Sequence, residues 1–247
     1  MRILGLDFFE GTVSEAVDLA LGGVGLIVAP SGTCFTRLRK DLVYRTAMSH
    51  ADLILPDSGL MVSLWRMFRG ERIERVSGLA YLRELLGRAE FRQLESVLWV
   101  LPDDAARDKT LAWLRNRGFT TRAEDCYVAP LYGSSVEDPS LRVRIETTRT
   151  FHVVIALSGG VQEKLGFSLR QSANHCPTVH CLGAAVGFIT GYQVAIPGWA
   201  DRLFLGWLLR LVSNPRRFLP RARNAFALPR MIRKYGKGLP PLEGADH

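Results

Sequence analysis

Short apolar runs alternate with longer stretches of helical periodicity along roughly the first 190 residues. The runs at residues 3–6, 24–28, 53–55, 97–101, 153–157 and 178–182 have the length of buried strands. Between them, residues 13–21, 37–49, 79–88, 105–117 and 162–170 are amphipathic and long enough for crossover helices, and the chain from Met61 onward also reads as helical. Strand and helix in alternation predict an α/β fold, a doubly wound and mostly parallel sheet. Such sheets bind ligands at the carboxyl ends of their strands. The positions to inspect are therefore the turns at residues 30–33, 56–59, 102–104, 158–160 and 183–185, all polar or glycine-bearing.

The rhythm changes after residue 196. Trp199, Leu203, Trp207 and Leu211 recur every four residues as one helical stripe, and Arg216, Arg217, Arg221 and Arg223 then interleave with apolar residues. Residues 197–247 hold ten Lys and Arg against three acidic residues, a net +7, so the formal +8 of the 247-residue chain leaves only +1 for residues 1–196. The chain thus divides into a near-neutral body, 1–196, and a basic amphipathic appendage, 197–247. That tail reads either as a core-packing helix with a solvated basic end, or as an interfacial element whose Trp and Leu enter a headgroup layer while arginines meet phosphates. With 47% apolar and 23% charged residues the composition is that of a globular protein, and apolar runs fall far short of the ~20 residues a spanning helix needs. No secretory signal is evident, which predicts a cytosolic protein at most lying on a membrane, with its four cysteines free.

Candidate chemistry is sparse. His175, Cys176, His180 and Cys181 suggest a metal site, but strand alternation sends His180 and Cys181 to opposite faces, which favours buried thiols on a strand. No Walker A pattern occurs, and Gly22-Gly23-Val24-Gly25 precedes its strand, the wrong side for a dinucleotide fingerprint. Ala156 stands where a nucleophile elbow needs glycine, so a serine hydrolase is not expected. Ser158-Gly159-Gly160 offers a strand-to-helix turn whose backbone N–H groups could hold a phosphate, or simply a tight turn. Asp57, just after an apolar run, is placed either to take a proton from an acceptor hydroxyl or to cap the following helix.

Taken together, residues 51–59 (ADLILPDSG), Arg75-Val76-Ser77-Gly78, Val161-Gln162-Glu163-Lys164, the glycines from Gly183 to Gly191, and Pro197, Trp199, Trp207, Arg210, Leu211 and Pro215-Arg216-Arg217 form a colinear series. The series resembles the "ADLVLPDGxG…RVxG", "PKQEKW" and "GVGxxFDxxAGxxxRAPxWM…EWLxRLxxEPxR" blocks of the WecG/TagA/CpsF glycosyltransferases. The resemblance implies a Rossmann-like body and an inverting, metal-independent transfer of a hexosyl or N-acetylhexosaminyl group from a UDP-sugar to a polyprenyl-diphosphate-linked acceptor. The setting it implies is assembly of a bacterial surface polysaccharide or exopolysaccharide, on the inner face of the plasma membrane. It makes Asp57 the general base and Ser31, Arg75, Gly159, Gly160, Gln162, Glu163 and Gly183 donor-binding. Arg210, Arg216, Arg217 and Arg221 would meet the leaving diphosphate and the anionic membrane surface, and no cofactor is required.

The series also has gaps. Ala29-Pro30-Ser31 replaces a Thr-x-Asn, Ala80 an Asp, Val186-Gly187 the Phe-Asp pair, Ala195 the Arg of "RAP" and Gly206 the Glu of "EW". These departures keep a second expectation open, a non-catalytic member that binds nucleotide or lipid-linked glycan. Nothing in the body resembles a nucleic-acid-binding module, so nucleic acid is not an expected partner, while self-association stays open.

Overall fold

The computed structural model describes residues 1–94, 96–133, 135–172, 175–193 and 226–243. In chain order these form β1 (Arg2–Ile3), β2 (Leu6–Asp7), α1 (Val13–Leu21), β3 (Leu26–Val28), a 3-10 helix (Gly32–Arg39), α2 (Leu42–Ser49), β4 (Leu53–Ile54), α3 (Gly59–Arg69), α4 (Gly78–Gly87) and α5 (Ala89–Arg92). Then follow β5 (Val97–Leu101), α6 (Asp104–Asn116), β6 (Cys126–Val128), α7 (Pro139–Thr148), β7 (His152–Ile155), α8 (Val161–Ser172), β8 (Thr178–Cys181), α9 (Ala184–Ile189) and α10 (Ala227–Tyr235). β3 to β8 make one parallel sheet in the order β4-β3-β8-β7-β5-β6. All six strands therefore end on the same edge, the Rossmann-like arrangement expected from the alternation.

Two apolar layers explain why the strands read as unbroken apolar runs. Leu26, Val28, Val153, Ile155 and Val179 pack against the 3-10 helix, α2, α3, α7, α8 and α10. Ile27, Leu53, Trp99 and Val154 face α1, α4, α5, α6 and α9. Strands covered on both sides need no polar face. Most helices begin where a short polar side chain accepts from a backbone N–H three residues on: Thr12, Asp41, Ser58, Ser77, Asp103 and Asp138. Each such cap stabilises its helix by about 1 kcal/mol.

Four features differ from the sequence reading. Residues 3–6 are not one strand but the turn of a small hairpin, β1 pairing β2 antiparallel, with Leu4 and Gly5 at φ 51° and 80°. Both central residues at positive φ is the primed-turn geometry that suits the twist of a two-residue hairpin. The helix expected over 37–49 splits at Lys40, because Asp41 caps α2 separately. β6 and α7 were not foreseen. Within the span 197–247, α10 is built into the body: Leu228 and Ile232 are fully buried, and the helix packs on α3 and the 3-10 helix. Beyond α10, Leu4 and Gly5 donate their N–H groups to the carbonyls of Gly236 and Lys237. The stripe from Trp199 to Leu211 and the arginines Arg210, Arg216, Arg217 and Arg221 lie outside the described residues.

Candidate active site

The carboxyl edge of the sheet gathers the body residues singled out from sequence. Asp57 follows β4 and is half-buried. It does not cap α3; Ser58 does, accepting from the Met61 N–H at 3.2 Å. The Asp57 carboxylate instead crosses to α4, where Oδ1 accepts from the Gly78 N–H at 2.9 Å. The Arg75 Nε–H donates to the Asp57 carbonyl at 2.8 Å. Side chain and main chain of Asp57 are thus fixed by two groups from the segment that enters α4. Gly78 is itself wedged against the end of the sheet, since a Cβ there would lie 3.1 Å from the Ala29 Cβ and 3.9 Å from Leu182. The result is a carboxylate held at a helix N-terminus beside the ends of β3 and β8.

The 3-10 helix spans this edge. At its start, a Cβ on Gly32 would sit 2.7 Å from Ser58 Oγ; further on, a Cβ on Gly159 would fall 2.5 Å from Cys34 Sγ. Ser31 Oγ lies 3.2 Å from both Thr33 Oγ1 and Cys34 Sγ. Burial, with Glu163 nearby, pushes the Cys34 thiol up to about 11, so it stays protonated and acts as a packing group.

Of the two readings of the turn after β7, the hydrogen bonds show the features of the tight turn. The Gly160 N–H donates to Glu163 Oε2 at 2.6 Å. Val161 and Gln162 donate theirs to the Ser158 carbonyl. Glu163 is fully buried and Gln162 is 3% exposed, so both lie beneath the turn. Burial raises the Glu163 carboxyl, offset by hydrogen bonds that include the Gly160 amide and by the charge of Arg37. Gln162 Nε2 donates to Glu163 Oε1 and to the Cys181 carbonyl, while its Oε1 is buried without a hydrogen-bond partner. That oxygen points at the turn after β8: a Cβ on Gly183, at φ 53°, would come within 3.2 Å of it.

Two further contacts shape the edge. Tyr192 donates to Asp103 Oδ2 at 2.5 Å, and Gln193 lies over Gly187, its Cγ 2.9 Å from a Cβ built there. Gln193 therefore lies beside the ends of β5 and β8. Phe226 is close in sequence to Leu228, which reaches within 3.7 Å of a Cβ on Gly32. The candidate metal cluster resolves differently. Cys181 Sγ donates to the Gln162 carbonyl, whereas the His180 ring turns to the other face, with Nε2 3.0 Å from His152 Nδ1 and Nδ1 2.9 Å from the Tyr81 hydroxyl. Burial drives both imidazoles down, His152 to about 4.

Sequence reasoning missed Arg37. It lies in the 3-10 helix, solvent-exposed, with its side chain laid across Gly160. Its signal was hidden because residues 37–49 read as one amphipathic helix, in which an arginine is an ordinary solvated position.

A parallel doubly wound sheet with an anchored carboxylate and glycine turns along its carboxyl edge is the framework of an α/β protein that takes its ligands at the strand ends. The chain belongs to the glycosyl transferase WecG/TagA/CpsF family, whose profile matches residues 1–239. Over 218 residues it is 26% identical to the N-acetylglucosaminyldiphosphoundecaprenol N-acetyl-beta-D-mannosaminyltransferase of Bacillus subtilis (strain 168), a match covering 86% of this chain and 79% of the relative.

Proposed function

We propose that the protein is an inverting, metal-independent glycosyltransferase that moves a hexosyl or N-acetylhexosaminyl group from a UDP-sugar to a polyprenyl-diphosphate-linked acceptor. The setting is bacterial surface polysaccharide or exopolysaccharide assembly. The observation that carries the reading is Asp57: its carboxylate is oriented by the Gly78 amide at the strand-end crevice where such folds react their ligands. Asp57 takes the proton from the acceptor hydroxyl as that oxygen attacks the anomeric carbon, the diphosphate leaves from the opposite side, and the configuration inverts in one step. Donor contacts fall to Ser31, Arg75, and the Gly159-Gly160 and Gly183 turns, with Gln162 and Glu163 fixing the shape of the turn from beneath.

The acceptor class is supported by the Bacillus subtilis relative, whose name gives it a diphosphoundecaprenol-linked sugar substrate. Charge on the leaving diphosphate calls for cations, and Arg210, Arg216, Arg217 and Arg221 belong to the stretch that follows Gln193, itself beside the ends of β5 and β8. The same arginines, with the Trp and Leu stripe, serve a peripheral position on the cytoplasmic face of the membrane. Among the described residues no helix is long and apolar enough to cross a membrane.

A second reading has one observation in its favour: Gly187 occupies the place of the carboxylate in the family's Phe-Asp pair, and Gln193 fills the space above it. A non-catalytic member would bind UDP yet turn over nothing. Incubating the chain with a panel of UDP-sugars and a prenyl-diphosphate-linked GlcNAc acceptor separates the two. We expect β-linked product, and a loss of at least 100-fold in kcat for Asp57→Asn with nucleotide binding retained. A fully active Asp57→Asn enzyme would remove the assigned role, and UDP binding without product from any donor would favour the second reading.

A further inference from the structure

The cation that the body contributes to a diphosphate is Arg37, we propose; the diphosphate chemistry rests on the transferase reading above. Three observations carry it. First, three consecutive amides of the turn after β7 are already committed. The Gly160 N–H is taken by Glu163, and those of Val161 and Gln162 by the Ser158 carbonyl. An anion held over Gly160 therefore draws on a side chain.

Second, Arg37 supplies one at that spot. A Cβ built on Gly160 would lie 3.0 Å from Arg37 Cδ, 2.6 Å from Nε and 2.7 Å from Cζ, so the guanidinium end of the side chain rests directly on the glycine backbone. Gly160 stands at φ 92°, and the absence of a side chain there is what lets the arginine approach. Arg37 thus brings a positive charge to this turn from the 3-10 helix.

Third, the donors of its guanidinium are unused. Among the described residues the Arg37 guanidinium makes no hydrogen bond and no ion pair, although the residue is exposed and lies against the turn after β7. The carboxylates it influences are committed elsewhere: Glu163 is buried on the Gly160 amide, and Asp41 is held by Lys164 at 3.0 Å and by the Tyr44 N–H. An exposed arginine with all its donors available matches a diphosphate, which accepts bidentate hydrogen bonds from the guanidinium fork. On the neighbouring turn, the buried Gln162 Oε1, aimed at Gly183, also has no hydrogen-bond partner among the described residues.

The diphosphate could be that of the nucleotide donor or that of the prenyl-linked acceptor, and the test distinguishes them. Calorimetric titration of the full chain with UDP, uridine, inorganic diphosphate and farnesyl diphosphate is compared across wild type, Arg37→Ala and Arg37→Lys. Arg37→Ala should weaken inorganic diphosphate at least 10-fold, with Arg37→Lys intermediate and uridine unchanged. With inorganic diphosphate weakened, an equal loss for UDP assigns the site to the donor, and an equal loss for farnesyl diphosphate with UDP unchanged assigns it to the acceptor. The proposal is overturned if Arg37→Ala binds all three diphosphates like wild type, if it loses uridine in the same proportion, or if wild type binds none of them. Sugar transfer measured on the same preparations keeps the two readings apart. Transfer that needs Asp57 but not Arg37 overturns only this inference, whereas diphosphate bound through Arg37 with no transfer overturns only the transferase assignment.

Discussion

Acid should unfold this protein by a route that runs through two histidines. His152 and His180 sit on β7 and β8 with rings stacked 5.3 Å apart at 24°, and Phe91 meets both edge-on. A single proton chain satisfies them when the Tyr81 hydroxyl donates to His180 and His180 donates to His152. Protonating either ring turns the Tyr81 hydroxyl from donor into acceptor and places a charge in an apolar layer. His152 titrates at about 4 in the fold against 6.5 in the open chain. Between those values the unfolded chain binds the extra proton and the folded one does not, so stability is complete above pH 6.5 and falls as pH drops towards 4. At about 1.4 kcal/mol per pH unit, His152 alone accounts for about 3 kcal/mol. His180 adds to the same trend, and Glu163, with its carboxyl raised, opposes it. Urea unfolding followed by tryptophan fluorescence at pH 7.5, 6.5, 5.5 and 4.5 reads the slope. His152→Gln keeps an acceptor for His180 without the titration, and the comparison cancels every group not coupled to His152. The variant should lose about 2 kcal/mol less than wild type between pH 6.5 and 4.5. Identical losses in the two proteins would refute the reasoning.

Two shorter predictions concern packing. Ile232→Ala, deep in the contact of α10 with α3, should cost about 2–5 kcal/mol in equilibrium unfolding; a cost under 1 kcal/mol would mean that α10 is not part of the core. Gly160→Ala must either push Arg37 away or strain a backbone at φ 92°, so it should lower the thermal midpoint and weaken inorganic diphosphate together. Retained diphosphate affinity in that variant would separate Arg37 from the turn.

What could be read from the chain follows the range of the forces involved. The run at Val97–Leu101 was legible because a strand covered on both faces is apolar throughout. β6 was not, since Cys126-Tyr127-Val128 is three residues long at a sheet edge among charged neighbours. α7 carried an Asp138-Pro139 start signal, but its apolar positions are too few to show a stripe. At the site, local pattern could place Asp57 at a strand end, yet it could not choose between Asp57 and Ser58 as the cap of α3. The partner that settles the matter, Gly78, is 21 residues away. Glu163 belongs to a recognisable block, but whether its carboxylate faces a ligand or its own turn depends on the contact with Gly160. Arg37 is the extreme case, because its meaning arises from a glycine more than 120 residues later.

The hydrogen bonds from Leu4 and Gly5 to Gly236 and Lys237 also bear on how the chain comes to be folded during synthesis. At 5–20 residues per second, a ribosome delivers those carbonyls roughly 10–50 s after the amides that need them. Until then α3 and the 3-10 helix lack the cover that α10 provides, and a nascent chain presents that patch to chaperones or to other chains. Leu228 also helps shape the space around Gly32, so the crevice reaches its final form only when the last helix docks. An incompletely translated chain would therefore carry Asp57 and Arg37 without the fold that aligns them.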